Sequence, residues 1–258
     1  MHYSSRVLPR CFAVATLCLT TWLSISPAQA GIVISGSRQV YPAQEREITV
    51  QLSNEDKKLP CLVQVWLDAG NEKLTPEQSD VPFTITPPVF RIEGGKSQAL
   101  RLSYTQEPLP TDKESVFWLN VLEVPPVVAS SEDQLRFSFR IRSKVFFRPQ
   151  GLAGTPQDAG SQLRWSLHKT AKGSELEVHN PSAYHVSFQE VALALGATPD
   201  AKRNKSEHYT MVAPGGRERY PLKDTVGNLP AGAHVAFSFL NDYGTAVQVQ
   251  APLQPATH

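Results

Sequence analysis

One segment of the chain alternates apolar and polar side chains in a way that could support recognition of another polypeptide. The apolar members are Leu135, Phe137, Phe139 and Ile141, and the polar members are Arg136, Ser138, Arg140 and Arg142. Successive side chains of a β-strand point to opposite faces, so the segment predicts an apolar row backed by a basic face. Such a strand can be an ordinary half-exposed member of a sheet. It can also be an edge strand that offers its backbone and its apolar row to a partner.

Residues that carry catalysis in exported enzymes do not occur in catalytic spacing after residue 30. The patterns H-E-x-x-H, G-x-S-x-G and C-x-x-C are all missing from that part of the sequence. The histidines there include His168, His179, His185, His208 and His234. Their scattered positions do not match the spacing of metal ligands. The sequence therefore predicts that the protein is not an enzyme and holds no metal or other cofactor. An exported enzyme is an alternative hypothesis, but no motif supports it.

Composition excludes several further classes of protein. The chain has 258 residues and a formal net charge of +1, with 41% hydrophobic and 19% charged residues. This apolar content is enough for a packed core and argues against intrinsic disorder. A near-neutral charge provides no long-range attraction for nucleic acid, so we predict no nucleic-acid partner.

The elements that must position the alternating segment are predicted to be short β-strands. The predicted strands are Ile32–Ser35, Glu47–Ser53, Cys61–Asp68, Phe83–Thr86, Val89–Ile92, Ser97–Tyr104, Val116–Val124, Gln134–Phe147, Arg164–Lys169, Ser174–Asn180, His185–Leu195, His208–Val212, Glu218–Pro221, Ala233–Asn241 and Ala246–Ala251. Turn residues separate them at a spacing typical of β-sandwiches. The Pro- and Gly-containing segment Arg148–Gly154 divides the strands into two sets. We therefore predict two tandem immunoglobulin-like β-sandwiches, residues 31–150 and 151–258, and a solvated loop at Thr198–Ser206.

The first 30 residues have the pattern of a cleaved signal peptide. Arg6 and Arg10 precede the apolar run Cys11–Ile25, and an A-x-A site ends at Ala30. Threonine and serine interrupt the run, which is shorter than the ~20 residues of a membrane span, so stable membrane insertion is not predicted. Cleavage leaves Cys61 as the single cysteine of the exported chain. One cysteine cannot form an internal disulfide. We expect Cys61 to be a buried thiol.

Four separate blocks of sequence carry a resemblance to a known family. The blocks are Gly31–Val33 with Ser37 and Arg38, then Glu114–Pro126, then Arg142–Pro149, and finally Asn180–Val186 with Asn241–Gly244. In this order, across essentially the whole chain after the leader, they resemble the periplasmic pilus-assembly chaperones of the PapD-like chaperone–usher family. The short connection Pro125–Asp133, with no cysteine pair, is similar to the short-loop branch, whose clients are typically rod-like pili.

The resemblance implies a fold, a function and a set of partners. The fold would be all-β, with the two sandwiches set as an L or boomerang around an interdomain cleft. The protein would be a periplasmic chaperone of a Gram-negative cell that binds, folds and stabilises fimbrial (pilin) subunits by donor-strand complementation. It would deliver them to an outer-membrane usher. The strand that the chaperone lends to the subunit, here called the lending strand, would be Gln134–Lys144, and free copies could cap their lending strands by dimerising.

The same resemblance implies roles for individual residues. Arg38 and Lys144 match the family's anchor for the subunit's C-terminal carboxylate, and the donated row is Leu135, Phe137, Phe139 and Ile141. Glu114, Arg148 and Asp242 match an interdomain salt-bridge network that sets domain orientation. Pro60 matches a proline that shields the lending strand in the free protein. A tandem-sandwich adhesin or binding module is the alternative, and it would bind through loops at the sandwich ends with no special role for Arg38 or Lys144.

Overall fold

The computed structural model describes residues 31–126, 137–171, 173–198 and 200–255. The strands are β1 (Ile32–Ile34), β2 (Arg38–Pro42), β3 (Glu47–Asn54), β4 (Cys61–Asp68), β5 (Phe83–Thr86), β6 (Val89–Ile92), β7 (Ser97–Tyr104), β8 (Ser115–Val124), β9 (Phe139–Arg148), β10 (Arg164–Thr170), β11 (Gly173–His179), β12 (Val186–Ala194), β13 (Arg203–Lys205), β14 (Met211–Val212), β15 (Arg217–Pro221), β16 (His234–Leu240) and β17 (Ala246–Gln254). An α-helix, α1, spans Pro156–Gln162, and a 3-10 turn spans Pro76–Gln78. The leader and Leu135 lie outside the described residues.

The N-terminal strands form two facing sheets. One sheet has the order β1-β3-β7-β5 and the other the order β2-β9-β8-β4-β6. Aromatic rings from both sheets meet between them: the centroids of Phe83 on β5 and Phe117 on β8 are 4.8 Å apart, and those of Phe83 and Tyr41 are 5.4 Å apart. Alternating inward residues of each strand build this core, as expected for a sandwich.

The chain first crosses between the two N-terminal sheets where β1 leads into β2. β1 pairs antiparallel with β3, whereas β2 pairs in parallel with β9 in the other sheet. Between them Gly36 has a φ of +81°, a conformation that glycine adopts without steric cost. No strand is predicted from the sequence at residues 38–42, and this prediction is wrong, because β2 lies there. The pairing partner of β2 lies about 100 residues away, so no local pattern reports it.

The C-terminal strands form a sheet of order β13-β12-β16-β17-β10-β11-β15 that folds over on itself, with β14 paired to β12. Its halves join where β10 pairs in parallel with β17. Trp165 of β10 packs against Phe237 of β16 at a centroid distance of 5.2 Å, and Tyr220 of β15 packs against Phe188 of β12 at 5.4 Å. These contacts face one half against the other, so the prediction of two tandem all-β sandwiches is confirmed.

Strand β13 and helix α1 of the C-terminal half were not predicted from the sequence. The predicted loop Thr198–Ser206 contains β13, in which the Asn204 side chain is buried and donates a hydrogen bond to the Asp224 carbonyl at 2.6 Å. Helix α1 has seven residues, too few for a periodic signal. Thr155 caps it by accepting a hydrogen bond from the Asp158 amide at 3.2 Å, and Pro156 occupies its first turn.

Candidate functional site

Arg148 joins the two domains through ion pairs on both sides of its guanidinium. Its Nε donates to Glu114 Oε1 at 2.7 Å, and its two terminal nitrogens donate to the carboxylate oxygens of Asp242 at 2.7 and 2.8 Å. The other oxygen of Glu114 accepts from the backbone amide of His185 in the second domain at 2.8 Å. The structure thus brings together the three residues of the predicted interdomain network.

Burial makes this network costly to break. The side chain of Glu114 is only 2% exposed, while those of Arg148 and Asp242 are 20% and 24% exposed. Burial alone lowers the pKa of Arg148, but its hydrogen bonds and charge interactions with Asp242 and Glu114 outweigh that effect and raise its pKa overall. The guanidinium of Arg148 is therefore charged at neutral pH.

Arg38 and Lys144 lie side by side at the boundary between the domains. Arg38 lies on β2, the second strand of the fold, and Lys144 lies on β9. The two residues are register partners in the parallel pairing of these strands. Arg38 donates to the carbonyl of Leu240 at 3.0 Å, and Lys144 Nζ donates to Ser187 Oγ at 3.2 Å, so each side chain reaches a residue of the second domain. The Nε of Arg38 is buried and has no hydrogen-bond partner within the described ranges.

The electrostatics of this pair favour an anion. Burial and the neighbouring charge of Arg38 lower the pKa of Lys144 to about 8. Burial also lowers the pKa of Arg38, although the charges of Asp242 and Glu114 oppose this effect. A depressed lysine pKa means that the ammonium is not compensated where it sits. Two adjacent, partly desolvated cations can therefore form strong charge-assisted hydrogen bonds with a carboxylate or a similar anion.

The strand that precedes Lys144 has an open edge. β9 pairs with β8 from Phe139 to Phe147, but β2 covers its other edge only from Lys144 onward. Among the described strands, residues 139–143 therefore present unpaired backbone groups on one side. Phe137 and Phe139 are each 60% exposed next to this edge, with ring centroids 6.3 Å apart. Ile141 differs from them, because it is half-buried and packs against the N-terminal core.

A buried polar cluster that the sequence did not predict lies on the outer face of the sheet. Asp68, which is 1% exposed, accepts two hydrogen bonds from Arg142 at 2.8 and 2.9 Å and one each from Asn120 and the Gly70 amide. Arg142 stacks over Trp118 at 4.7 Å, and Lys144 lies over the same ring at 5.2 Å. The expectation that Arg142 forms part of a free basic face is therefore wrong. A carboxylate 74 residues away in sequence neutralises it, and no short-range pattern would have indicated that partner.

We expect Asp68→Asn to destabilise the N-terminal domain, because the substitution removes the charge partner of Arg142 and directs an amide group at existing donors. The loss of hydrogen bonds to a charged group should lower the melting temperature by about 5–10 °C. Thermal unfolding followed by circular dichroism measures the effect. The double variant with Arg142→Met is the control: if Asp68 acts through Arg142, it loses less than the sum of the single variants. Strictly additive losses would contradict the coupling.

Pro60 directly precedes β4 and lies in an apolar groove. The groove is lined by Pro60, Cys61, Leu62, Arg91, Val124, Pro125 and Pro126. β8 separates β4 from β9 in the sheet order. Pro60 therefore neighbours the beginning of the connection that leads to the lending strand. Cys61 is a free, buried cysteine as expected, and burial together with Glu123 raises its pKa to about 11.

One cluster in the second domain resembles a catalytic triad in composition but not in geometry. Ser166 Oγ lies 3.0 Å from His168 Nε2, and Glu177 lies 3.9 Å from the same nitrogen. A proton relay needs the serine and the acid on opposite ring nitrogens. Glu177 is instead held by Arg217 and Arg219 at 3.0 and 2.9 Å. Within the described ranges no group of three or more metal-ligating side chains could hold a metal ion, and no helix there is long and apolar enough to span a membrane.

Comparison with known proteins assigns both halves of the chain. Residues 31–153 match the model described as "Pili and flagellar-assembly chaperone, PapD N-terminal domain". Residues 158–251 match "Pili assembly chaperone PapD, C-terminal domain". The chain is 37% identical over 251 residues to the chaperone protein FimB/FhaD of Bordetella pertussis, covering 95% of this chain and 97% of that one.

Solved structures agree with these matches. The crystal structure of the YadV chaperone superposes with a TM-score of 0.72 and 39% identity over 87% of this chain and all of that one. YadV is a probable fimbrial chaperone of Escherichia coli. The SafB chaperone of Salmonella enterica, solved in complex with SafA pilin, superposes with a TM-score of 0.69 and 25% identity over 88% of this chain and 99% of that one. Members of this family are periplasmic chaperones and not enzymes. With both halves matched and the fold shared along its length, the chain belongs to the PapD family of pilus-assembly chaperones.

Proposed function

We propose that this chain binds a fimbrial subunit by adding a strand of the subunit to the open edge of β9 and by holding the subunit's terminal carboxylate at Arg38 and Lys144. The observation that carries the proposal is the position of this cation pair. β2 occupies the edge of β9 from Lys144 onward, so a strand added at residues 139–143 has to end there. A chain terminus at that point meets two adjacent, partly desolvated cations, and the Nε of Arg38 has no hydrogen-bond partner within the described residues.

The same geometry specifies the direction of the added strand. If its C-terminal carboxylate lies at Lys144, the strand runs toward the interdomain boundary, as β9 does, and is therefore parallel to β9. Its backbone would satisfy the unpaired groups of residues 139–143. Burial of Phe137 and Phe139 would contribute about 3–6 kcal/mol before the costs of association. The carboxylate anchor would then fix the register of the pairing.

We extend this proposal to the export of the chain, its domain limits and its partners. Residues 1–30 are removed after Ala30 and the product acts in the periplasm, with domains at residues 31–150 and 151–258. The clients are subunits of rod-like pili, in keeping with the short connection that follows Pro126, and an outer-membrane usher receives the complex. Glu114, Arg148 and Asp242 hold the domain orientation. In the free protein, Pro60 shields the lending strand, and a second copy caps the open edge.

Co-expression in the periplasm with a fimbrial subunit tests the proposal through Phe139. Phe139→Asp places a charge in the apolar row, and we expect at least tenfold less subunit to co-purify because an unpaired carboxylate is costly to bury. Tyr209→Asp is the matched control, since Tyr209 is a similarly exposed aromatic residue, 54% exposed, outside the row. Equal recovery with both variants would contradict strand addition at this edge. It would favour the adhesin-like alternative, in which loops at the sandwich ends bind.

A further inference from the structure

The carboxylate of Glu123 lies against Gly31, the first residue after the proposed leader. Glu123 Oε2 accepts a hydrogen bond from the Ile32 amide at 3.0 Å. A Cβ atom built on Gly31 would overlap both carboxylate oxygens of Glu123 and lie 2.6 Å from its Cδ. The carboxylate therefore fills the space in which any other residue at position 31 would carry its side chain.

This placement brings the carboxylate within reach of the backbone nitrogen of Gly31. The nitrogen and the Cβ position of one residue are about 2.5 Å apart, so this nitrogen lies within about 5 Å of both oxygens. No lysine or arginine of the described residues forms an ion pair with Glu123, and its titratable neighbour is the Cys61 thiol. Glu123 is thus a half-buried carboxylate that has backbone and thiol neighbours but no cation in the described part of the chain.

We infer that Glu123 binds the α-ammonium group that hydrolysis of the Ala30–Gly31 bond creates. The inference rests on the proposed removal of the leader. A leader peptidase would add water across that bond, leaving a carboxylate on Ala30 and an amine on Gly31. The amine takes up a proton at neutral pH. The resulting ammonium would supply the cation that Glu123 lacks.

The position of Glu123 gives this ion pair a structural consequence. Glu123 lies on β8 and is the register partner of Phe139 at the start of β9. Gly31 leads directly into β1, which belongs to the facing sheet. Processing would therefore add a second tie between the two sheets, beside the hydrogen bond from the Ile32 amide to Glu123, at the end of the sandwich where β9 begins. The precursor, whose Gly31 nitrogen is an uncharged amide, lacks this tie.

The test uses the full chain exported with its own leader, and intact mass identifies the first residue of each product. The nitrogen of Gly31 is followed by 15N-glycine NMR as a function of pH. We expect the α-ammonium pKa to lie about one unit above its ordinary value near 8. It should return to that value in Glu123→Gln, which keeps the size of the side chain and removes its charge.

A second measurement separates the ion pair from general destabilisation by the variant. A serine inserted between Ala30 and Gly31 moves the ammonium one residue away, and it should lower the melting temperature by about 2–4 °C in the wild type but not in Glu123→Gln. An unshifted ammonium pKa, or equal losses in both backgrounds, overturns the ion pair alone. A product that does not begin at Gly31 overturns the leader assignment together with the inference, while the subunit-binding proposal stands or falls by its own experiment.

Discussion

Lys144→Met is expected to weaken binding of a fimbrial subunit by at least about 30-fold, because it removes one of the two cations that hold the terminal carboxylate. Loss of one partner of a desolvated charge pair costs about 2–5 kcal/mol, and each 1.4 kcal/mol corresponds to a tenfold change in Kd. Titration of purified chaperone with a peptide that ends in the subunit's C-terminal strand measures this change. The exposed Lys96 provides the control as Lys96→Met. Binding that is equally weak, or equally strong, in the two variants would contradict the anchor.

The stability of the free variant separates an anchoring role from a structural one. Lys144 is partly desolvated beside Arg38, and its pKa of about 8 shows that its charge is unfavourable in the free folded state. Lys144→Met should therefore melt at the same temperature as the wild type or at a higher one. A lower melting temperature accompanied by normal binding would mean that Lys144 supports the fold.

The pKa of Lys144 also predicts how binding depends on pH. The carboxylate requires the charged ammonium, so affinity should be constant between about pH 5 and pH 7 and fall by about tenfold between pH 7 and pH 9, where most of the free protein has lost this proton. Stability of the free protein has the opposite sign. The unfolded chain holds the proton up to about pH 10.5, so the contribution of Lys144 to the free energy of unfolding rises between pH 8 and 10.5. Neither trend should appear in Lys144→Met.

The second large effect is expected for Arg148→Met, which removes the arginine that is paired with the buried carboxylate of Glu114. Removal of one partner of a buried ion pair costs about 3–5 kcal/mol, or roughly 6–20 °C in melting temperature for a chain of this size. Because Arg148 links residues of both domains, calorimetry should also resolve the unfolding into two transitions. Asp242→Asn should show a smaller loss, since the Asp242 side chain is 24% exposed and Glu114 keeps its contact with Arg148.

An exposed ion pair in the same domain provides the control for this experiment. Arg101 and Glu47 are 3.8 Å apart, with side chains 69% and 46% exposed. Arg101→Met should change stability by no more than about 1 kcal/mol, because water screens such pairs. A loss for Arg148→Met as small as the loss for Arg101→Met would show that the network does not hold the domains. A single sharp transition at a lowered temperature would limit its role to the stability of the fold.

The structural features that are encoded locally could be predicted from the sequence. Alternation along a strand sets the faces of its own side chains, so the apolar row that ends at Ile141 and most strand positions could be predicted. Turn residues between the strands added the sandwich class. The roles of Arg38 and Lys144 came from resemblance, since the chemistry of a single arginine or lysine does not distinguish a ligand anchor from a solvated surface charge.

Tertiary contacts determined the rest, because they join residues that are far apart in the chain. The pairing of β2 with β9, the neutralisation of Arg142 by Asp68, and the packing of Ile141 against the core all depend on register across the sheet. The same alternating pattern would suit a strand with either edge covered. The edge at residues 139–143 is open because β2 begins its pairing with β9 at Lys144. The same pairing places Arg38 beside Lys144 at the end of that edge. Side-chain direction is thus a property of the local chain, whereas edge exposure and charge compensation are properties of the assembled fold.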